Sequence, residues 1–434
     1  MVAGGRSRRH SVHVNSGHAT APSPDLAGYI AGYARRLHAA AGDRHHVASP
    51  LGAWLLLALA GPASSGRDRA ALTDALGCDP DVAAPSAAEL LTAPHPLVAC
   101  AAAAWTRRGT DPGDGFRQWR LGLPGAVEAG DLPGKAGLDA WAREHTFGLI
   151  NTFPLDSAAD VYLLLATALA TRVSWQVPFA LAPAAELGAG SAWSRSLGQV
   201  LRTPDPALGP GHRQFIAADA DAGDVAVQAA TARDGLAVYS VAAAPDVPAA
   251  SVLAAAYRIG CADAIGAPAG RRDLADLPLG DGPAWMLREE QASDHRDLCT
   301  AVLPAWSAQS QHDLSDPGLG FGAAMRGLLA NPSDPWAARQ AAMARYTRTG
   351  FEAAAVTMAA GFLALRPATS TRRVAELRFG HPYAAVAVAT DGAAGSQGSP
   401  AWHGVPVFSA WVAEPDDAAD GSDGEPGAER EQAL

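Results

Sequence analysis

Apolar residues recur at helical intervals from Leu26 to Ala41 (Leu26, Ile30, Tyr33, Ala34, Leu37), which predicts an amphipathic first helix ending near Gly42. Ser49 then offers an N-cap with Pro50 at the first helical position, and Leu51–Leu59 follows as a helix so apolar all round that it belongs in a core. A third helix is predicted over Arg67–Leu76, stopped by Gly77. Leu97–Thr106 is an uncharged run closed by Arg107 and Arg108 and reads as a buried strand, and helical spacing resumes over Gly137–Thr146. The longest apolar run, Val161–Val173, reads as a central strand buried on both faces. In the last third, Ala301–Ser307, Ala342–Thr349, Tyr383–Thr390 and Val405–Val412 are strand-like, with Gly, Pro and Asp between them. Helices first and strands last, without βαβ alternation, predict an α+β fold.

The flanks carry no such pattern. Residues 1–24 are polar and aperiodic and residues 416–434 are acidic with Gly and Pro interspersed, so both are expected as disordered tails around a single domain over 25–415. With 434 residues and 48% hydrophobic content the chain can bury a large core. A net charge of −11 gives no positive field for a polyanion, so no nucleic-acid partner is expected. Lys135 is the only lysine, and the wealth of Arg, Ala, Gly and Pro has the look of GC-rich coding. Cys78, Cys100, Cys261 and Cys299 are scattered without ligand-like spacing and are expected as buried free thiols. No apolar segment follows the N-terminal arginines and Trp54–Ala60 is too short to span a bilayer, so the expectation is a cytoplasmic protein without a membrane partner.

Catalytic motifs are missing: there is no GxSxG, P-loop, GxGxxG after a strand, or HExxH, which makes an enzyme the weaker class. His45 and His46 are adjacent, so in a regular element they point apart and cannot serve one metal, and neither metal nor cofactor is expected. Glu289 and Glu290 read as a solvated acidic turn. The informative segment is Tyr346–Leu365, small and uncharged after Glu352. It runs into the charged stretch Arg366–Arg378, which leaves more than fifteen residues between Gly361 and Tyr383 without a convincing element. Loops that long in a compact domain are usually functional or disordered, and an exposed one invites proteolysis. An Ala-rich helix over Glu352–Ala360 is the alternative from propensity alone.

Six blocks, in order, carry a family resemblance. They are Val47–Gly66 with Ala71–Gly77, Ala140–Ile150 (AWAREHTFGLI), Leu163–Phe179 (LLLATALATRVSWQVPF), Ala301–Gly322, Thr349–Thr357 (TGFEAAAVT), and Phe379–Val388 with Val405–Pro415 (FGHPYAAVAV, VPVFSAWVAEP). Together they resemble the serpins, the serine proteinase inhibitors, as a divergent bacterial-type member, over about nine tenths of the chain. The resemblance implies an α+β fold of three β-sheets and eight or nine helices with an exposed reactive-centre loop. It also implies the family's action as a suicide substrate: a protease cleaves the loop, and its stem inserts as a new strand in the main sheet.

The hinge is then Gly350, Phe351, Glu352, Ala353, Ala354, Ala355, Val356 and Thr357, and family spacing places the reactive bond at Ala364–Leu365, with Leu363 and Arg366 as alternative specificity residues. An inserting strand presents alternate residues to the core. Here these are Phe351, Ala353, Ala355, Thr357, Ala359, Gly361 and Leu363, of which five are small. Phe351 stands where the family has Thr or Ser, and overpacking by its ring would cost about 1–3 kcal/mol. Trp175 matches the tryptophan of the breach, where the sheet opens, and Ser49, Thr167 and Gln340 fall in the shutter beneath it. Gln340 replaces a His, Thr167 an Asn, Gly52 a Ser, and Arg348 a hinge Glu, so the shutter network is expected to be rebuilt, with Gln340 and Thr167 still able to donate and accept. A small or aliphatic bait residue implies an elastase-like or subtilisin-like target, Arg366 a trypsin-like one, with Arg372–Arg373 then a second exposed cleavage site. The protein is expected as a monomer. The alternative is a serpin-fold binding or regulatory protein that no longer inhibits.

Overall fold

A computed structural model describes residues 25–110, 113–155, 161–171, 173–293, 295–331, 333–350, 370–390 and 400–418. Among them the helices are α1 (Leu26–Ala41), α2 (Pro50–Ala60), α3 (Gly66–Leu76), α4 (Pro80–Thr92), α5 (Asp114–Leu121), α6 (Lys135–Glu144), α7 (Ala249–Ala264) and α8 (Phe321–Leu328). The first nine strands are β1 (His46–Ala48), β2 (Val98–Thr106), β3 (Val127–Asp131), β4 (Leu163–Thr171), β5 (Ala180–Pro183), β6 (Gln199–Arg202), β7 (His212–Asp219), β8 (Gly223–Thr231) and β9 (Leu236–Ala242). The rest are β10 (Gly280–Asp281), β11 (Trp285–Ala292), β12 (Leu298–Leu303), β13 (Trp306–Asp313), β14 (Trp336–Tyr346), β15 (Ser370–Arg378), β16 (Tyr383–Ala389) and β17 (Pro406–Val412).

They form three sheets, ordered β1-β17-β16-β9-β8-β7, β10-β11-β15-β12-β6-β5 and β13-β14-β4-β2-β3. The α+β class, the three sheets and the eight helices agree with the resemblance. The early helices form where the sequence places them, because their signals are local. Ser49 caps α2 by accepting from Gly52 N at 3.1 Å, Pro50 opens it, and all of its residues are buried. Gly77 ends α3 in the left-handed conformation, φ 78°. The apolar run over Val161–Val173 gives β4, buried along its whole length in the middle of the five-stranded sheet. The main core joins α1 to α4 and α8 to the inner sheet faces, α7 covers β8, β9 and β16, and α6 lies over the outer face of β2, β4 and β14.

Several readings of the sequence need correction. Ala301–Ser307 is not one strand: Pro304, which cannot donate to a ladder, divides β12, parallel to β15, from β13, antiparallel to β14. The charged stretch before Tyr383 is not without an element, since Ser370–Arg378 is β15, inside the second sheet. Its charges are matched across the ladder, Arg372 opposite Glu290 with a 2.6 Å ion pair and Arg373 opposite Glu289. Arg372–Arg373 is therefore strand rather than exposed bait, and Glu289–Glu290 is strand β11 rather than a solvated turn. Beyond residue 415, Asp416 N donates to Ala305 O at 2.8 Å and the Asp417 carboxylate accepts from Gln199 N at 3.2 Å. No helix among the described residues is long and apolar enough to cross a membrane.

Candidate functional site

The five-stranded sheet has two parallel boundaries, β2–β3 and β14–β4, and the second lies beside the segment that ends at Gly350. β14 runs parallel to β4 and pairs with it directly, from Trp336↔Leu163 to Ala342↔Leu169. On its outer side β14 is antiparallel to β13, and β4 is antiparallel to β2. The pairing stops at Ala342↔Leu169 although β14 continues to Tyr346 and β4 to Thr171. On the α6 side, the alanines Ala337 and Ala341 of β14 and Ala166 and Ala168 of β4 lie with Leu164 beneath Leu138 and Trp141.

At the upper end, the chain leaving β14 is fastened to the segment after β4. Trp175 N donates to Thr349 O at 3.0 Å and its indole Nε1 to Thr347 O at 3.0 Å. Phe179 N donates to Arg348 O at 2.9 Å, and Arg348 Nε returns a bond to Phe179 O at 3.1 Å. Arg348, where the resemblance leads one to expect a carboxylate, thus uses its guanidinium on the backbone. Gly350 bridges Ser174 with φ 148°, and a Cβ on it would run into the Val173 carbonyl, so glycine is required there. Thr347 Oγ1 donates to Gly350 O at 2.7 Å and closes the turn.

Trp175 is 1% exposed and packs on Tyr346, with ring centroids 5.0 Å apart; Tyr346 in turn stacks on Trp306 at 6.0 Å. A hydrogen-bond chain runs from here into the first sheet. Tyr346 O–H donates to Gln228 Oε1 at 2.8 Å. His212 Nε2 faces the Val177 carbonyl at 2.6 Å and must donate to it, so His212 Nδ1 accepts from the Gln228 amide at 3.2 Å. This arrangement holds a neutral imidazole, and burial pushes its pKa down to about 4. Burial likewise raises the Tyr346 phenol far above its ordinary range. Sequence reasoning missed Tyr346, Gln228 and His212 because they meet only through tertiary structure; the sole local hint is an aromatic residue at the end of a strand.

Below, Ser49, Gln340 and Thr167 come together. Gln340 Oε1 accepts from Ser49 N at 2.9 Å and its Nε2 donates to Ser49 O at 2.7 Å, while Ser49 Oγ donates to Val407 O at 3.0 Å. One amide side chain thereby ties β14 to the start of α2. Thr167 lies opposite Gln340 in the ladder but, contrary to expectation, its buried hydroxyl has no hydrogen-bond partner among the described residues. Gly52 fits tightly here, since a Cβ on it would stand 3.1 Å from Thr167 Oγ1 and 3.4 Å from Gln340 Nε2.

After Gly350 the next described residue is Ser370, the first residue of β15 in another sheet. Phe351 to Thr357 of the hinge, the reactive bond Ala364–Leu365, and Leu363 and Arg366 lie outside the described residues. No protein-family model and no curated protein matches the sequence. Solved structures do. The thermophilic serpin tengpin in its native state aligns with a TM-score of 0.61 at 11% identity, over 90% of this chain and 93% of its own. The chain has the serpin fold. Human thyroxine-binding globulin complexed with thyroxine aligns at 0.60 and 13% over 91% and 99% of the two chains, and Serpin48 of the insect Tenebrio molitor at 0.58 and 15% over 90% and 98%.

Proposed function

We propose that this protein is a serpin that inhibits a serine protease as a suicide substrate. The observation that carries the reading is the directly paired, parallel β4–β14 boundary, with Gly350 turning the chain at its upper end. A segment following Gly350 that folded back between these strands would run antiparallel to both. One parallel ladder would be exchanged for two antiparallel ones, each slightly more stable per residue. The alternate residues Ala353, Ala355, Thr357, Ala359 and Gly361 are small enough to enter between packed strands.

In the reaction, the protease's serine attacks the carbonyl carbon of Ala364, the Leu365 amine leaves, and an ester joins Ala364 to the enzyme. Insertion of the freed stem distorts the protease before water reaches that ester. The protein supplies strain release rather than a catalytic group. A small or aliphatic bait residue favours an elastase-like or subtilisin-like target over a trypsin-like one.

Incubation with elastase, subtilisin and trypsin, followed by denaturing electrophoresis and the mass of the released C-terminal fragment, tests this. The expected result is a denaturant-resistant band at the summed mass, a fragment beginning at Leu365, and a large rise in heat stability of the cleaved protein. Ala355→Arg should abolish trapping while leaving cleavage intact, and unchanged trapping by that variant would sink the insertion mechanism. Phe351 favours a second reading, a non-inhibitory binding or regulatory protein. The solved structure of thyroxine-binding globulin with thyroxine offers a ligand-bound precedent on this fold. Clean cleavage without the band and without the stability rise would decide for it.

A further inference from the structure

Strand β1 reaches the shutter through a buried pair of imidazoles. His38 of α1 and His46 of β1 are 6% and 5% exposed, with ring centroids 5.0 Å apart, and His312 of β13 lies edge-on to His46 at 6.3 Å. Their hydrogen bonds leave one assignment of protons. His46 Nδ1 faces the Arg44 carbonyl at 2.7 Å and must donate, so His46 Nε2 can only accept. It accepts from His38 Nδ1 at 2.7 Å, which leaves His38 Nε2 to accept from Ser409 Oγ at 2.6 Å. Ser409 Oγ in turn accepts from Tyr257 O–H of α7 at 2.8 Å. Every nitrogen of the pair is committed in its neutral form. A proton on His46 Nε2 would set two N–H donors face to face, and one on His38 Nε2 would displace the Ser409 hydroxyl proton.

The surroundings offer little to offset a charge. Tyr257 and Cys261 of α7 stand behind Ser409, Asp43, Arg44 and His45 form the turn before β1, His312 and Asp313 come from β13, and Glu414 follows β17. Among the described residues no carboxylate hydrogen-bonds to either ring, and burial lowers the pKa of both imidazoles and of His312. Solvent nevertheless reaches His46 from a cleft of about 500 Å³ lined by Arg44, His45, His46, Gln311, His312 and Glu414.

What the pair holds is β1, and with it the shutter. Val47 N donates to Ser310 Oγ at 3.1 Å and Val47 O accepts from His312 Nε2 at 2.8 Å, which fixes β1 to β13. Two residues after Val47, the Ser49 backbone carries both bonds to Gln340. We propose that His38 and His46 form an acid-sensitive latch: their neutral, hydrogen-bonded pair holds β1 and the Ser49–Gln340 clamp in place, and protonation of the pair releases the clamp and opens the β4–β14 boundary. The latch governs opening of the sheet and stands whether or not the protein traps a protease.

Hydrogen–deuterium exchange of the full chain, read by mass on peptides spanning residues 44–56 and 337–346 and corrected for the intrinsic pH dependence of exchange, tests it directly. Opening of both segments should increase as the pH falls below about 6.5, by up to tenfold per pH unit for each histidine held neutral, hence up to about a hundredfold per unit for the pair. The double variant His38→Gln/His46→Gln keeps a donor and an acceptor at each position but cannot titrate, and should lose that dependence. Exchange of the wild type that ignores pH, or an equal acid response in the double variant, overturns the latch. If the double variant does not fold, carbon-13 spectra of histidine-labelled wild type decide: both rings should stay neutral until the segments open. Free titration near about pH 6.5 with the segments closed overturns the proposal.

Discussion

Gln340→Ala is the sharpest test of the Ser49–Gln340 clamp. The side chain makes two bonds to one residue, and their loss is unequal in consequence. Ser49 O also accepts from Ala53 N at 3.3 Å, so it keeps a partner when the Gln340 amide goes. Ser49 N has only Gln340 Oε1 among the described residues, and Ser49 is 1% exposed. A buried donor left unsatisfied costs about 1–3 kcal/mol, and a lost neutral bond to a group that is still partnered about 0.5–1.5 kcal/mol. The expected destabilisation is therefore about 2–4 kcal/mol, a large share of a typical folding free energy of about 5–15 kcal/mol. Urea unfolding followed by tryptophan fluorescence measures it, as both the midpoint and the unfolding rate. Gln309→Ala makes the same chemical change on an exposed position of β13 and serves as the control. If Gln340→Ala shifts the midpoint no more than Gln309→Ala does, the clamp is not what closes the sheet and the argument fails.

Two further outcomes follow from the same network. Thr167→Val replaces a buried, unpartnered hydroxyl with an isosteric methyl and should stabilise the closed sheet by about 1–2 kcal/mol, seen as a higher urea midpoint; a lower midpoint would show that the hydroxyl is bonded. His212, with its pKa pushed from the ordinary 6.5 down to about 4 by burial, binds fewer protons folded than unfolded, so its contribution is complete above about pH 6.5 and is lost as the pH falls toward 4. The loss is bounded at about 3 kcal/mol, and His212→Gln should flatten the fall in urea midpoint between about pH 7 and pH 4.5; an undiminished fall in the variant contradicts this assignment.

How far the sequence could be read depended on the range over which each residue finds its partner. Ser49, Pro50 and Gly77 act within four residues of themselves, and the helices they delimit stand where the pattern puts them. The run Leu163–Thr171 is apolar at both parities, so its place in the middle of a sheet needed no partner to be named. β15 was illegible because Arg372 and Arg373 look solvated until Glu290 and Glu289 arrive from β11, some eighty residues earlier. The helix expected over Gly137–Thr146 begins at Lys135 instead, where the lysine ties Asp139 at 2.6 Å and Phe153 O at 2.7 Å. Within the site, Trp175 and Gln340 were singled out by resemblance alone, with no partner named for either. That Thr167 lacks a partner, and that Tyr346, Gln228 and His212 form a chain, depends on distances between three elements that no local pattern encodes.

The distribution of side-chain size explains why so few polar contacts should govern the sheet. β14 brings Ala337, Ala338, Ala341, Ala342 and Ala344 to the core, while β4 brings Leu163, Leu164, Leu165 and Leu169 at its two ends and Ala166 and Ala168 in its middle. Apolar cohesion scales with buried area, and an alanine contributes a small fraction of what a leucine or phenylalanine does. The middle of the boundary is therefore held by its backbone ladder and by the Gln340 clamp, while the large rings of Trp175, Tyr346 and Trp306 gather at its upper end. The middle of a boundary built this way separates at little apolar cost, yet only after specific hydrogen bonds break. The ladder already ends at Ala342↔Leu169, below the point where Gly350 turns the chain, so a strand following Gly350 would first meet Met343–Tyr346 and Ala170–Thr171, which lie beyond the β4–β14 ladder. In the proposed insertion each entering residue would gain two antiparallel neighbours for one parallel pairing lost, with the cost concentrated where the clamp must open, at Ser49 and Gln340.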